Sequence, residues 1–291
     1  YDMLLAALRM QGFSVVDVGG VAQVVPEADA KLLGGPIYSA GSSGMQTRTF
    51  RLQYENAVNL IPVLRPIVSP NNPINAYPGN NSIVITDYAE NLARVAQIML
   101  YAGVKDVRLL DGGWQTWSDA GLPVERGMPP AQQPAPDFGA PIPGQPQLML
   151  DTEQARGLLH RQDASLVSVR SWPEFIGTTS GYSYIKPKGD IAGARWGHAG
   201  SDSTHMEDFH NPDGTMRSAD DIAALWRQWN ILPSQQVAFY CGTGWRASET
   251  FMYARAMGWP HVAVYDGGWY EWSSNPHNPV ARGERGPESS Q

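Results

Sequence analysis

From Val237 to Thr250 the chain passes through an apolar run, Val237 to Tyr240, then Cys241-Gly-Thr-Gly-Trp-Arg246, then a pattern suited to a helix. A buried strand, a short loop with two glycines and a helix in direct succession leave few folds open. The same order recurs around it. Leu148 to Leu150 opens the region, and Thr152 is expected to cap a helix reaching His160. A strand at Leu166 to Arg170 follows, and Ser218 with Asp221 leads a helix carrying Ile222, Leu225, Trp226 and Trp229. Beyond Tyr240 come a helix from about Ala247 to Met257, a strand at Val262 to Tyr265 and a helix around Trp269. Such alternation predicts an α/β fold, a parallel sheet with helices on both faces. It puts Cys241 at the carboxyl end of a central strand, where open α/β sheets bind ligands.

The loop's chemistry follows from its place. A chain wrapping into a helix N-terminus turns backbone N–H groups inward and forms a cradle for an anion. The helix dipole and Arg246 are both expected to lower the Cys241 thiol pKa, and the same donors would hold a persulfide or a sulfonate-like group. Gly242 and Gly244 permit the tight path. Cys241 is therefore the candidate nucleophile with Arg246 assisting, and Gly242, Thr243, Gly244 and Trp245 are the candidate anion-binding residues. Trp245 either walls the pocket or packs onto a helix. Cys241 is the chain's one cysteine, which excludes an intrachain disulfide and a cysteine-based zinc cage. A solitary cysteine is more often a small buried hydrophobe; the Gly-x-Gly loop and closing arginine favour the nucleophile. His205, Glu207, Asp208 and His210 lack a helical repeat or a second cluster, so a solvated loop is expected and no metal or cofactor.

An internal repeat complicates the picture. Leu110-Asp-Gly-Gly-Trp-Gln-Thr-Trp-Ser118 matches Tyr265-Asp-Gly-Gly-Trp-Tyr-Glu-Trp-Ser273 at an offset of 155 residues, from Leu110 to Tyr265. Carried back, this offset sets Ser82 to Ile85 against Val237 to Tyr240, Thr86 against Cys241 and Asn91 against Arg246. The first copy thus lacks the nucleophile. Between the copies lies a Pro-rich stretch, Leu122 to Pro146, read as an extended linker.

The second region resembles rhodaneses, the thiosulfate:cyanide sulfurtransferases. The resemblance rests on Leu166 to Phe175, Gly189 to Trp196, Asn211 to Thr215, Cys241 to Arg246 and Tyr265 to Trp269. The insertion Gly177 to Lys188 and the loop itself are most similar to multi-domain bacterial periplasmic sulfurtransferases, whose final domain is the active one. The resemblance implies a ping-pong cycle through a Cys241 persulfide. It also suggests that Arg170 points to the anion site, although pairing with a carboxylate to tie down a loop is an equal alternative. Phosphatases and arsenate reductases of this fold use Cys-x5-Arg, whereas this chain has Cys-x4-Arg. Ser168 stands where the family usually has Asp, a change expected to affect packing or loop hydrogen bonding.

The first hundred residues resemble the periplasmic N-domains of type II secretion secretins. Leu5 to Phe13, Val24 to Asp29, Tyr54 to Ala57, Val63 to Pro70, Asn75 to Asn80 and Ile85 to Asn91 carry it. A helix at Tyr1 to Gln11 and a hairpin at Phe13 to Val18 and Val21 to Val25 precede a small α+β module, β-α-β-β-α from Thr47 to Tyr101. The expected division is a partial secretin-like segment (1–45), a secretin-like module (46–100), the remnant of an inactive rhodanese domain (101–124), a linker (125–147), the catalytic domain (148–283) and a tail (284–291). The truncated copy is expected to expose apolar surface around Leu109 and Leu110.

A formal charge of −7 without a basic stripe excludes a nucleic-acid binder. No apolar run suits a membrane span, and the start at Tyr1 shows no signal-peptide pattern. The expected partners are a small-molecule sulfur donor and acceptor, a protein sulfur partner, and a secretion-system protein at the N-terminal module. Both resemblances imply the bacterial periplasm. Together these features predict a thiosulfate sulfurtransferase; the alternative is a secretion-system interaction protein with a passenger rhodanese domain.

Overall fold

The computed structural model describes residues 13–18, 21–26, 45–51, 57–65, 68, 74–77, 81–123 and 141–287. The helix expected at Tyr1 to Gln11, most of the Pro-rich linker and the end of the tail lie outside them.

Strands β1 (Phe13–Val18) and β2 (Val21–Pro26) form the expected hairpin. The next module follows the expected order: β3 (Met45–Arg51), α1 (Ala57–Leu64), β4 (Ile74–Tyr77), β5 (Ser82–Tyr88) and α2 (Ala89–Ala102). Its strands pair antiparallel as β3-β5-β4. Ala57, Leu60, Ile83, Ile85, Leu92, Val95, Ala96 and Met99 are buried in one cluster, the apolar faces of α1 and α2 closing on the sheet.

After α3 (Gly113–Asp119) the chain builds a five-stranded parallel sheet from β6 (Met149–Leu150), β7 (Ala164–Ser168), β9 (Arg195–Trp196), β10 (Gln236–Tyr240) and β11 (Val262–Tyr265). The order β6-β11-β10-β7-β9 makes β10 central. The short helix α5 (Trp172–Phe175) follows β7, and a separate short pair joins β8 (Asp190–Ile191) to β12 (Val280–Ala281). Along β10 the side chains alternate. Val237, Phe239 and Cys241 join a cluster with Ile222 and Trp226 of α6 (Ala219–Gln228) and Phe251 of α7 (Trp245–Ala256). Ala238 and Tyr240 join the opposite one, with Leu158 of α4 (Thr152–Leu158) and Trp269 and Trp272 of α8 (Gly268–Ser274). Helices therefore cover both faces.

Several boundaries differ from expectation: β7 runs Ala164–Ser168 and not Leu166 to Arg170, and α4 ends at Leu158 and not His160. Asp151, not Thr152, caps α4: its carboxylate accepts from the Gln154 N–H at 2.8 Å, and Gln154 accepts from the Asp151 N–H at 2.9 Å. A carboxylate in extended conformation one residue earlier satisfies the orphan donors first. Helix α7 begins at Trp245, so the loop proper is only Cys241 to Gly244 and Arg246 is already helical; Gly244, at φ 91°, turns the chain into it.

The two regions share a core. Phe50, Ile83 and Ile85 belong to the same cluster as Phe239, Phe251 and Met252, with α2 lying against α7. Gln97 Nε2 donates to the Leu148 carbonyl at 3.3 Å, and the Gln145 N–H donates to the Tyr101 carbonyl at 3.0 Å. Helix α2 thus serves its own sheet and the region of the parallel sheet at once. Leu110 is 43% exposed, as expected, while Leu109 packs on the core.

Candidate active site

Cys241 directly follows β10 and is fully buried. The loop after it is held from outside by its carbonyls. The Cys241 carbonyl accepts from the Trp269 N–H at 2.8 Å and the Gly242 carbonyl from the Tyr270 N–H at 3.0 Å, both at the start of α8. Across a trans peptide, C=O and N–H point opposite ways. Fixing these carbonyls outward therefore aims the N–H groups of Gly242 and Thr243 to the inner side of the loop. Gly268 makes the approach feasible: it has φ 55°, and a Cβ there would lie 2.7 Å from the Cys241 carbonyl and 2.8 Å from that of Gly242. The Asp-Gly-Gly-Trp motif, expected only to build a turn, thus also holds the loop.

Arg246 closes the loop but is not a free cation. Its Nη1 and Nη2 donate to both Glu174 oxygens at 2.9 and 3.0 Å, its Nη1 to the Asp202 carbonyl and its Nη2 to the Tyr182 hydroxyl. Only its Nε is buried without a hydrogen-bond partner. Burial works against the Glu174 carboxylate, but Arg246 and Arg170 outweigh it and hold its pKa below the ordinary value. Fully buried Arg170 takes the second of its two expected roles. It pairs with Glu174 and with Asp190 at 3.2 Å, donates to the Gly189 and Ser180 carbonyls and stacks over Trp269. These contacts tie the 180–190 segment to the sheet. Ser168 joins this network through Asp190 at 2.7 Å, and the Tyr240 hydroxyl donates to the other Asp190 oxygen.

The insertion Gly177 to Lys188 returns over the cradle. Tyr182 lies so close on Gly242 that a Cβ there would overlap its ring, and it receives the Arg246 hydrogen bond at 3.0 Å. Burial and the neighbouring Cys241 push the Tyr182 pKa up, so the phenol keeps its proton at neutral pH. Tyr184, 56% exposed, stacks near Tyr182 and the half-exposed Tyr270. Thr243 and Trp245 are half-buried at the rim. Glu174 and Tyr182 were missed as site residues. Glu174 lies inside a motif already noticed, and only its buried position between two arginines reveals its part. Among the other polar candidates, His205 bonds Asp202 and His210 bonds Glu249 and Tyr253. No cluster of metal-ligating side chains occurs among the described residues.

Cys241 is thus a buried thiol at the carboxyl edge of the central parallel strand, beside the N-terminus of α7. Residues 151–275 match the family described as a rhodanese-like domain, and residues 47–99 match the bacterial type II/III secretion system short domain. The chain therefore carries a rhodanese-like domain behind a secretin-type short domain. It is 87% identical over 198 residues to thiosulfate sulfurtransferase YnjE of Escherichia coli (strain K12), covering 68% of this chain and 46% of that protein. The crystal structure of YnjE superposes with a TM-score of 0.67 at 85% identity, over 70% of this chain and 49% of that one. A structure of EanB, carrying a cysteine persulfide in a tetrahedral intermediate state with ergothioneine, gives a TM-score of 0.64 at 45% identity. It covers 72% of this chain and 48% of that one. Secretin XcpQ of Pseudomonas aeruginosa is 33% identical over 99 residues, covering 34% of this chain and 15% of that protein. The chain thus spans about half the length of YnjE or EanB.

Proposed function

We propose that the chain is a thiosulfate sulfurtransferase. The Cys241 thiolate attacks the outer sulfur of thiosulfate or a related donor, the donor's S–S bond breaks, and sulfite leaves with the electron pair. A thiophilic acceptor such as cyanide then attacks the terminal sulfur of the persulfide and regenerates the thiolate. The observation that carries this reading is the outward anchoring of the Cys241 and Gly242 carbonyls, which turns the next two N–H groups toward the inside of the loop. Because Glu174 balances Arg246, these N–H groups and the N-terminus of α7 supply the anion binding, with the unpartnered Nε of Arg246 as a further donor. Gly244 and Trp245 complete the path of the cradle. Thiocyanate release from thiosulfate and cyanide tests the proposal: Cys241→Ser must abolish it, and undiminished release would refute it.

A second acceptor class is favoured by Tyr182 and Thr243. In structures of EanB with ergothioneine and hercynine, the varied tyrosine and threonine stand at the same sequence distances from the persulfide cysteine as Tyr182 and Thr243 from Cys241. A protonated phenol over the cradle could protonate an imidazole-type acceptor. Formation of ergothioneine from hercynine by the persulfidated chain would support this; thiocyanate formation without it would restrict the acceptor to thiophiles.

The secretin-type short domain supports a periplasmic setting and a secretion-system protein as partner. No helix among the described residues is long and apolar enough to cross a membrane. For the organisation we infer the division stated above, with 101–124 as the remnant of a rhodanese copy and 148–283 as the catalytic domain.

A further inference from the structure

We propose that Arg94, carried by α2 of the secretin-type short domain, is a positioning residue for the Cys241 loop, so that the N-terminal region completes the active site. This rests on the reading of that loop as an anion cradle.

Three successive carbonyls line the outer side of the loop. Those of Cys241 and Gly242 are held by amides of α8, within the same domain. The third, of Thr243, accepts from Arg94 Nη1 at 3.4 Å. Arg94 is itself held in a forked pair with Asp266, the acidic residue of the Asp-Gly-Gly-Trp motif, Nη1 on one oxygen and Nη2 on the other at 3.2 Å. Both partners press on Gly244, where any Cβ would collide with Arg94 Nη1 and Asp266 Oδ1.

The consequence follows from peptide geometry. With the Thr243 carbonyl drawn outward to Arg94, the N–H of Gly244 points to the cradle side. Gly244 sits at φ 91° and has no side chain to restrain it, so the Thr243–Gly244 peptide is the link of the loop most in need of an external hold. Arg94 also neutralises Asp266. Without it a carboxylate would stand unpaired beside the loop and oppose binding of an anionic donor. Neither effect calls for contact between Arg94 and the donor.

The test uses the full chain and separates binding from turnover. In a Cys241→Ser background, where no sulfur transfer occurs, thiosulfate should raise the thermal unfolding midpoint. Adding Arg94→Gln should raise the thiosulfate concentration needed for half that effect about tenfold. With Cys241 present, Arg94→Gln should raise KM for thiosulfate more than it lowers kcat, and Arg94→Lys should recover part of the loss. Arg94→Lys keeps the charge but loses the fork and should raise KM less, which keeps the idea testable if Arg94→Gln fails to fold. Equal thiosulfate response and equal KM in Arg94→Gln and its parent would overturn the proposal while leaving the sulfurtransferase reading intact. No thiosulfate response in Cys241→Ser itself would remove the cradle and this proposal with it.

Discussion

Leu110 to Ser118 and Tyr265 to Ser273 are two copies of one motif, and they have come to lie in very different surroundings. Locally they behave alike. Each gives a short helix, Gly113–Asp119 and Gly268–Ser274, entered through a glycine of positive φ, 70° at Gly113 and 55° at Gly268. The second copy follows a strand of the parallel sheet, buries Trp269 and Trp272 completely and spends its first amides on the Cys241 loop. The first follows irregular chain from Val104 to Leu110, and its Asp111 accepts from the Met216 N–H at 2.7 Å. The strand that matches β10 by offset is β5, which runs to Tyr88 and passes into α2 at Ala89 with no loop between. At the position of Cys241 stands Thr86, paired with Thr47 in an antiparallel ladder. The motif therefore specifies a turn and a helix, while chemistry needs the strand and loop that the motif is there to hold.

The sharpest way to break this contrast is to move the nucleophile. Cys241→Ser should abolish both persulfide formation and transfer, and adding Thr86→Cys to it should restore neither, because backbone amides within a sheet ladder are committed to their neighbours. Persulfide at position 86, seen by peptide mass, would mean the cradle is dispensable. Next in size is Glu174→Gln, which has no counterpart in the first copy. It leaves two buried arginines short of a carboxylate and should cost about 3–5 kcal/mol in urea unfolding. Because the Glu174 pKa is depressed, its stabilisation is present above the ordinary value of 4.5 and is lost as pH falls through the lower folded value. The urea midpoint of the parent should therefore drop below pH 4.5 more steeply than that of Glu174→Gln.

Smaller effects separate the paired glycines. Gly268→Ala must push a Cβ onto two carbonyls and should cost about 1–3 kcal/mol together with most of the transfer rate. Gly113→Ala should cost about 1 kcal/mol through its positive φ, with transfer unchanged. The smallest concerns His210. Burial opposes its charge, but Glu249, Asp111 and Glu207 raise its pKa above 6.5. Its contribution is full below pH 6.5 and fades as pH rises through the raised value, so His210→Gln should lower the thermal midpoint at pH 6 and have a diminishing effect toward higher pH.

The fold was legible where periodicity and local chemistry agree. The alternating strands and helices around β10, the hairpin from Phe13 to Val25 and the β-α-β-β-α module could all be read from the chain. So could Cys241 at the end of a central strand, because an apolar run followed by Gly-x-Gly and a helix admits few paths. The arginines were harder to place. Whether Arg170 faces ligand or carboxylate depends on Glu174 and Asp190, one a turn away and the other beyond an insertion, and no spacing rule brings them together. Tyr182 was hidden because the insertion holding it has no periodicity. Arg94 was hidden because its partner Asp266 belongs to a distant motif that looked complete as a turn.

The most direct test of the central claim is the intact mass of the purified chain before and after thiosulfate, with the modified peptide mapped. The account predicts a gain of one sulfur atom on the Cys241 peptide, removed by cyanide. A folded chain that gains no sulfur from thiosulfate, or gains it elsewhere than Cys241, would contradict it.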